Sequence, residues 1–290
     1  MTALKWLGLV LVLLAAALAG ALIVGNARWN QWTRELHARL DAARSAPSPA
    51  HYDEARELEG LPPPVQRFFR TVLRDGAPMI AAVTVQHSGM FNMSDSGGEQ
   101  WKPFTSTQRV VTRRPGFVWD GRVQMLPGLA VHVHDAYIAG EGILHPAIGG
   151  LITLADLRDS GGDVAQGELM RFLAEAAWYP TALLPSQGVR WQAVDDTSAR
   201  ANITDGAITL TLTFRFAADG NVTSVRAEAR GRTVQGKVIA TPWEGVWSHH
   251  GERDGMRVPL TGEVAWLTPQ GRKPYWRGTI TAMAYEFAGR

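Results

Sequence analysis

A chain of 290 residues with 46% hydrophobic side chains has material for a sizeable core, and its 19% charged fraction lies somewhat below that of an average globular chain. The net charge of +2 is dispersed along the chain and does not argue for a nucleic-acid surface. The absence of cysteine removes disulfides, thiolate catalysis, cysteine-based zinc sites and a lipidated N-terminal cysteine.

The first element is Trp6–Val24, WLGLVLVLLAAALAGALIV, which carries no charge. As a helix it rises about 28 Å, close to the ~30 Å hydrocarbon thickness of a bilayer. Lys5 precedes it, and Asn26, Arg28 and Trp29 follow as interfacial anchors. A cleaved signal peptide is the rival reading, with Ala17-Leu18-Ala19 as the cut site. The apolar run continues past Ala19, however, and outlasts a signal core of about 7–15 residues. Residues 1–27 are therefore expected to be an uncleaved anchor that meets the lipid bilayer through residues 6–24. The count of cations, Lys5 against Arg28, Arg34, Arg39 and Arg44, favours a cytoplasmic body. A short basic leader before an apolar run also resembles an export signal. The reading adopted is a single-span protein of the bacterial inner membrane with a periplasmic body.

Residues 28–57 follow as a juxtamembrane helix and linker. Trp32, Leu36 and Leu40 recur every four residues, and Glu35 is placed to pair with Arg39. A polar connector with Pro47 and Pro49 leads to LPPPVQRFFRTVLRDG, where Pro64 suits a first helical turn and Val65, Phe68, Phe69, Val72 and Leu73 form a stripe. From residue 80 the period changes to two, with strands punctuated by Arg114-Pro115-Gly116 and Pro127-Gly128. One helix interrupts, GELMRFLAEAAWYP, with Leu169, Phe172, Leu173 and Ala176 on one face and Pro180 as its stop. TDGA, ADGN, RDGM and PQGR then separate further strands as hairpin turns. The expected class is α+β. Residues 58–290 would form a large curved antiparallel sheet, a half-barrel-like meander covered by a few helices, behind an N-terminal transmembrane helix. No dinucleotide fingerprint or P-loop is present.

The blocks LPPPVQRFFR, PGFVWDGRV, DAYIAGEG, GELMRFLAEAAWYPTALLP and WEGVW together resemble a family of bacterial membrane-anchored proteins of unknown function, over residues 58 to the C-terminus. That resemblance brings no catalytic residues. In rhythm alone, the strand, R-x-P-G-F-x-W, strand, helix and β-meander order is similar to the lipoprotein-carrier half-barrels of the periplasm. The likeness implies a curved sheet around an apolar cavity with helices as a lid, and fold analogy by itself does not license function.

VHVHDAY, residues 131–137, is the one metal-like motif. On a strand Ala130, His132, His134, Ala136 and Ile138 share a face, and the two imidazoles stand about 6–7 Å apart. A catalytic zinc needs a third ligand, His145 or Glu141, and no recognised spacing ties either to the pair. The expectation is a solvated strand face with partly exposed imidazoles and no metal. His249 and His250 read as a hairpin end. Asp156, Asp159, Asp163 and Glu168 read as a solvated loop and helix N-terminal charges; nothing shows the carboxylate separation that glycoside cleavage requires. Arg226, Glu228, Arg230 and Arg232 alternate onto one strand face, either solvated or facing anionic headgroups.

Eight of the eleven tryptophans lie beyond residue 100. They supply either core packing or the wall of an apolar cavity. The predicted wall draws on Phe117, Trp119, Trp191, Phe214, Trp247 and Trp266, with Phe172 and Trp178 on the covering helix, around several hundred Å³. The function expected is non-enzymatic: a membrane-tethered module in the cell envelope, without cofactor, that holds an amphipathic or lipidic molecule. The alternatives are a structural partner of an envelope protein complex and a metal-dependent hydrolase built on His132 and His134.

Overall fold

The computed structural model describes residues 2–94, 98–234 and 236–289. The first element, α1 (Thr2–Ala43), is one unbroken helix. Its N-terminal part is exposed and is long and apolar enough to cross a membrane. Beyond it the same helix becomes amphipathic, with Trp29, Leu36 and Leu40 buried. Gly25 at the junction costs about 1 kcal/mol relative to alanine, which packing readily offsets. The apolar and amphipathic segments are therefore one rod. The expected Glu35–Arg39 pair does not form. Arg39 pairs with Glu141, and Glu35 accepts from Gln31.

Two short helices follow. Asp53 caps α2 (Glu54–Glu57) by accepting from the Arg56 N–H at 3.1 Å. Prolines open α3 (Pro63–Val72), and Val65, Phe68, Phe69 and Val72 turn its apolar stripe inward, as their spacing predicts.

Among the described residues, fourteen strands make one antiparallel sheet. They are β1 (Ile80–Asn92), β2 (Trp101–Val111), β3 (Gly116–Leu126), β4 (Leu129–Ile138), β5 (Glu141–Ile148), β6 (Ile152–Thr153), β7 (Leu157–Ser160), β8 (Arg190–Asp195), β9 (Ser198–Asp205), β10 (Ile208–Phe216), β11 (Val222–Val234), β12 (Lys237–Arg253), β13 (Met256–Thr268) and β14 (Gly271–Phe287). The spatial order is β6-β5-β4-β3-β2-β1-β14-β13-β12-β11-β10-β9-β8, with β7 beside β5. Two meanders are thus sewn together by the first and last long strands, in a register running from Ile80↔Phe287 to Phe91↔Trp276. An open sheet beyond about ten strands cannot stay flat, because each pair adds right-handed twist. Curling gives it a concave and a convex face.

The concave face receives α3, α4 (Asp163–Glu175) and the 3-10 turns between residues 176 and 187. This segment carries the chain from the β7 edge to the β8 edge, and the large apolar cluster fills the space beneath it. The convex face receives α1, whose Leu36 and Leu40 pack on Ala82, Val111, Val118, Ala136, Ile138 and Ile143. The hairpins expected at Asp205-Gly206, Gly220, Asp254-Gly255 and Gly271 are present, each with a glycine at positive φ. Strands β5, β6, β7, β9 and β12 and the β11–β12 turn at Gly236 lie outside the sequence expectation.

Candidate functional site

Between α4 and the concave face lies a cavity of about 1070 Å³. Its wall owes its shape to paired tryptophans and glycines. Trp119 lies over Gly121 and Trp276 over Gly278, two residues on along the same strand, and Trp247 lies over Gly262 on the neighbouring strand. A methyl group on any of these glycines would overlap the indole above it. The rings therefore lie along the sheet instead of standing into the lumen, and space remains that side chains would otherwise fill. The indole N–H groups of Trp119 and Trp247 are buried without a partner in the protein.

Of the predicted wall residues, Trp119, Trp247 and Trp266 line the cavity, joined by Trp243, Tyr275 and Trp276. Phe117, Phe172, Trp178, Trp191 and Phe214 do not. Phe117, Phe172, Trp178 and Phe214 are almost fully buried in the packed core, and Trp191 stacks edge-on against Phe214 and Phe69. These positions lie where α3, α4 and the 3-10 turns press directly on the sheet and leave no gap.

The floor of the cavity is polar, which the sequence reading missed. Glu168, Arg171 and Glu175 lie three and four residues apart on α4, flanking its apolar stripe, and all three line the cavity. Arg171 donates to Asp135 Oδ2 at 2.5 Å, to Glu175 Oε1 at 2.7 Å and to Gln108 Oε1 at 3.1 Å. Gln108 closes the ring by donating to Glu175 Oε2 at 2.6 Å. Glu168 was expected to be a solvated charge; it is 6% exposed, and its nearest cation is Arg230 at 3.5 Å. Burial first, and the neighbouring Asp135 charge second, raise the Glu168 carboxyl well above the usual carboxylate range. The signal was present in the sequence. A charged i, i+3, i+7 stripe on a helix whose other face is apolar points inward when both faces are covered.

Arg230 reaches this floor through a bulge. The β11–β12 register slips between Ala227 and Arg230, so the face on which a side chain points switches there. Arg226 and Glu228 pair with each other outside, while Arg230 and Arg232 line the cavity. The expectation of four side chains on one face fails at this slip. Arg230 stacks on Trp243 at 4.9 Å from the ring centroid.

His132 and His134 do share a face, but that face is not solvated. They are 4% and 0% exposed, sealed beneath α1. Trp29 stacks on His134 at 4.0 Å and meets His132 and His145 at 5.3 and 6.0 Å. Thr33 Oγ1 lies 2.7 Å from His134 Nε2, and Trp29 donates to Asp120 Oδ1 at 2.9 Å. Burial lowers the His132 pKa to about 4 and that of His134 to about 3. The partly exposed, normally titrating imidazoles expected here are thus corrected: an amphipathic helix covers the strand face that looked wet. Among the described residues no three histidine or carboxylate side chains are arranged to hold a metal ion.

At the other end of the same contact, Gly25 of α1 fits against Gly149 and Leu151 in the β5–β6 loop, and Leu22 fits against Gly149. Neighbouring strands alternate in direction, so the β5–β6, β3–β4, β1–β2, β13–β14 and β11–β12 turns lie along one edge of the sheet. The cavity opens beside the last three, past Ser94, Gly98, Gln270, Lys273 and Gly236. Three of the four lysines, Lys102, Lys237 and Lys273, stand on this edge, and the fourth is Lys5.

No curated protein matches this sequence. Among solved structures the chain is similar to a domain assigned to outer-membrane lipoprotein sorting from Vibrio parahaemolyticus, with 9% identity, a TM-score of 0.38, and 81% of this chain and 94% of that one covered. It is also similar to a LolA superfamily protein from Nitrosomonas europaea, with 10% identity, a TM-score of 0.35, and 77% and 92% covered. A third similar structure is a β-barrel-like protein of the domain of unknown function DUF1849 from Brucella abortus, with 9% identity, a TM-score of 0.26, and 72% and 99% covered. The profile of one sequence family spans residues 59–285, from the turn before α3 to the end of β14, and the chain belongs to that family of unknown function, DUF6920.

Proposed function

We propose that this protein is a membrane-tethered binding module of the cell envelope that holds an amphipathic or lipidic molecule in the concave cavity. The observation that carries the reading is the cavity itself, about 1070 Å³ held open by indoles seated on glycines. Small-ligand sites commonly run from about 300 to 1,000 Å³. The anchor adds to it. The turns beside the cavity mouth share a sheet edge with the loop that grips the end of the apolar helix. An apolar cargo passing between bilayer and cavity has little water to cross. The periplasm is the compartment proposed for the body, with residues 6–24 in the inner membrane.

Organic extraction of the purified full chain followed by mass spectrometry tests the reading, beside titration with a fluorescent fatty acyl probe. Co-purifying lipid, and saturable probe binding that Trp247→Ala weakens, are the expected results. A chain that carries no lipid and ignores the probe returns the assembly-partner function, in which the sheet only presents a surface.

A further inference from the structure

The floor of the cavity is one positive charge short. Three carboxyl groups, Asp135, Glu168 and Glu175, face two guanidinium groups, Arg171 and Arg230. Glu175 is satisfied at both oxygens by Arg171 and Gln108. Asp135 is satisfied at Oδ2 alone. Two buried carboxyl oxygens, Glu168 Oε2 and Asp135 Oδ1, receive no N–H or O–H from any other residue; the two carboxyl groups lie within hydrogen-bond reach of each other, so a proton shared between them is the one partner the protein supplies. Both residues line the cavity, and each acts electrostatically on the other. A buried, unpaired carboxylate oxygen is costly, and its natural complement is a donor that carries positive charge.

From this geometry we infer that the cavity binds an amphiphile with a protonated amine, its ammonium group donating to Glu168 Oε2 and Asp135 Oδ1 while its chain lies along the seated indoles. The inference rests on the proposed function and names the ligand's polar end. An anionic head fits less well. Arg171 already donates to Asp135, Glu175 and Gln108 and lies over the Phe117 and Trp119 rings, and Arg230 is stacked on Trp243 beside Glu168. Aromatic faces around the lumen favour a cation over an anion as well.

Burial and the neighbouring Asp135 raise the Glu168 carboxyl, which favours a proton there in the free protein. Glu168 is faced by Asp135 from β4, Arg230 from β11, Tyr275 from β14 and Arg171 from its own helix. Arg232, Lys273, Asp159 and Asp163 stand farther along the same wall. Binding of an ammonium exchanges one cation for another: R–NH3+ and Glu168–COOH become an R–NH3+ to Glu168 carboxylate pair, and one proton leaves for solvent. Affinity for the ammonium therefore rises as pH rises toward the Glu168 pKa.

Hexylamine, hexanol and hexanoate share a chain and differ only at the head. Each is titrated by calorimetry into the full chain in dodecyl maltoside, at neutral pH and in two buffers of different ionisation enthalpy. Competition from the detergent chain is the same for all three, so the affinity ratios report the head group. The amine is expected to bind about tenfold or more tightly than the alcohol, a usual scale for charge-assisted hydrogen bonds, and to release protons on binding. In Glu168→Gln the amine should fall to the affinity of the alcohol and release no proton, while cooperative thermal unfolding of the variant shows that the fold is intact. Equal binding of amine and alcohol without proton release, or tightest binding of hexanoate, overturns the inference and leaves the cavity function standing. Binding of none of the three overturns both.

Discussion

At the scale of single residues, the glycines under the indoles matter more than the indoles' own polarity. Gly121→Ala or Gly278→Ala forces the ring of Trp119 or Trp276 off the sheet and into the lumen. Overpacking of this kind costs about 1–3 kcal/mol. The expected outcome is a severalfold loss of fatty acyl probe binding in a chain that still unfolds cooperatively. Unchanged probe affinity in both variants would show that these rings do not set the free volume. Arg171 is the opposite case, a residue whose loss threatens the fold. Its side chain is 14% exposed and is the cation shared by Asp135 and Glu175. Arg171→Met leaves those carboxylates buried and uncompensated, and removing one partner of a buried pair costs roughly 3–5 kcal/mol. Thermal unfolding of the purified chain should move down by several degrees. The sequence shows Arg171 as one more charge on an amphipathic helix. That it lies in the interior follows only from covering both sides of α4.

At the scale of elements, α1 is the part whose role changed most between sequence and structure. The four-residue rhythm of Trp32, Leu36 and Leu40 was legible and did mark an apolar helix face. Where that face docks was not, because helix and strand faces are each compatible with many partners. The docking predicts a pH response. His132 and His134 are held neutral in the fold, with pKa values near 4 and 3, against about 6.5 when α1 is detached. Between those limits the detached state binds protons that the docked state refuses, so docking weakens as pH falls from about 6.5 and levels off near 4 to 3. Each imidazole contributes up to about 1.4 kcal/mol per pH unit. Asp120, Arg122, His145 and His37 face His134 and modulate this response. Hydrogen exchange across residues 29–40, corrected for its intrinsic pH dependence, should be faster at pH 5 than at pH 7. His132→Phe should flatten the difference. Protection that does not vary with pH would mean that the histidines do not govern the contact.

At the scale of the whole molecule, the proposed anchor predicts which edge of the sheet faces the bilayer. Leu151, Ile152 and Leu154 are exposed beside the end of the apolar helix, at 39%, 62% and 53%. The turn at Ala139–Gly140 closes the far end of the same strand pair, roughly 26 Å away at about 3.3 Å per residue along β5. The chain lacks cysteine, so single-cysteine labelling is clean. A spin label at Ile152→Cys in bilayers should be reached by oxygen more readily than by a water-soluble nickel chelate, and a label at Ala139→Cys should show the reverse. Equal exposure of both positions to the aqueous reagent would lift this edge of the sheet off the membrane.

The sequence by itself determined the elements and their class. Nineteen uncharged residues, a period of two after residue 80 and aspartate–glycine turns each act through local chemistry, and an apolar span, a β-meander and its hairpins follow from them. Only the tertiary structure decided which faces meet. The bulge that turns Arg230 inward, the burial of His132 and His134 under α1, and the convergence of Asp135, Glu168 and Arg171 on one floor all join residues distant in the chain. Their side chains are the same whether solvated or enclosed. What differs is the layer laid over them: polar residues beneath α1 and α4 are enclosed, while Arg200, Thr204, Thr209, Thr211 and Arg215 on the uncovered face of β9 and β10 stay in water.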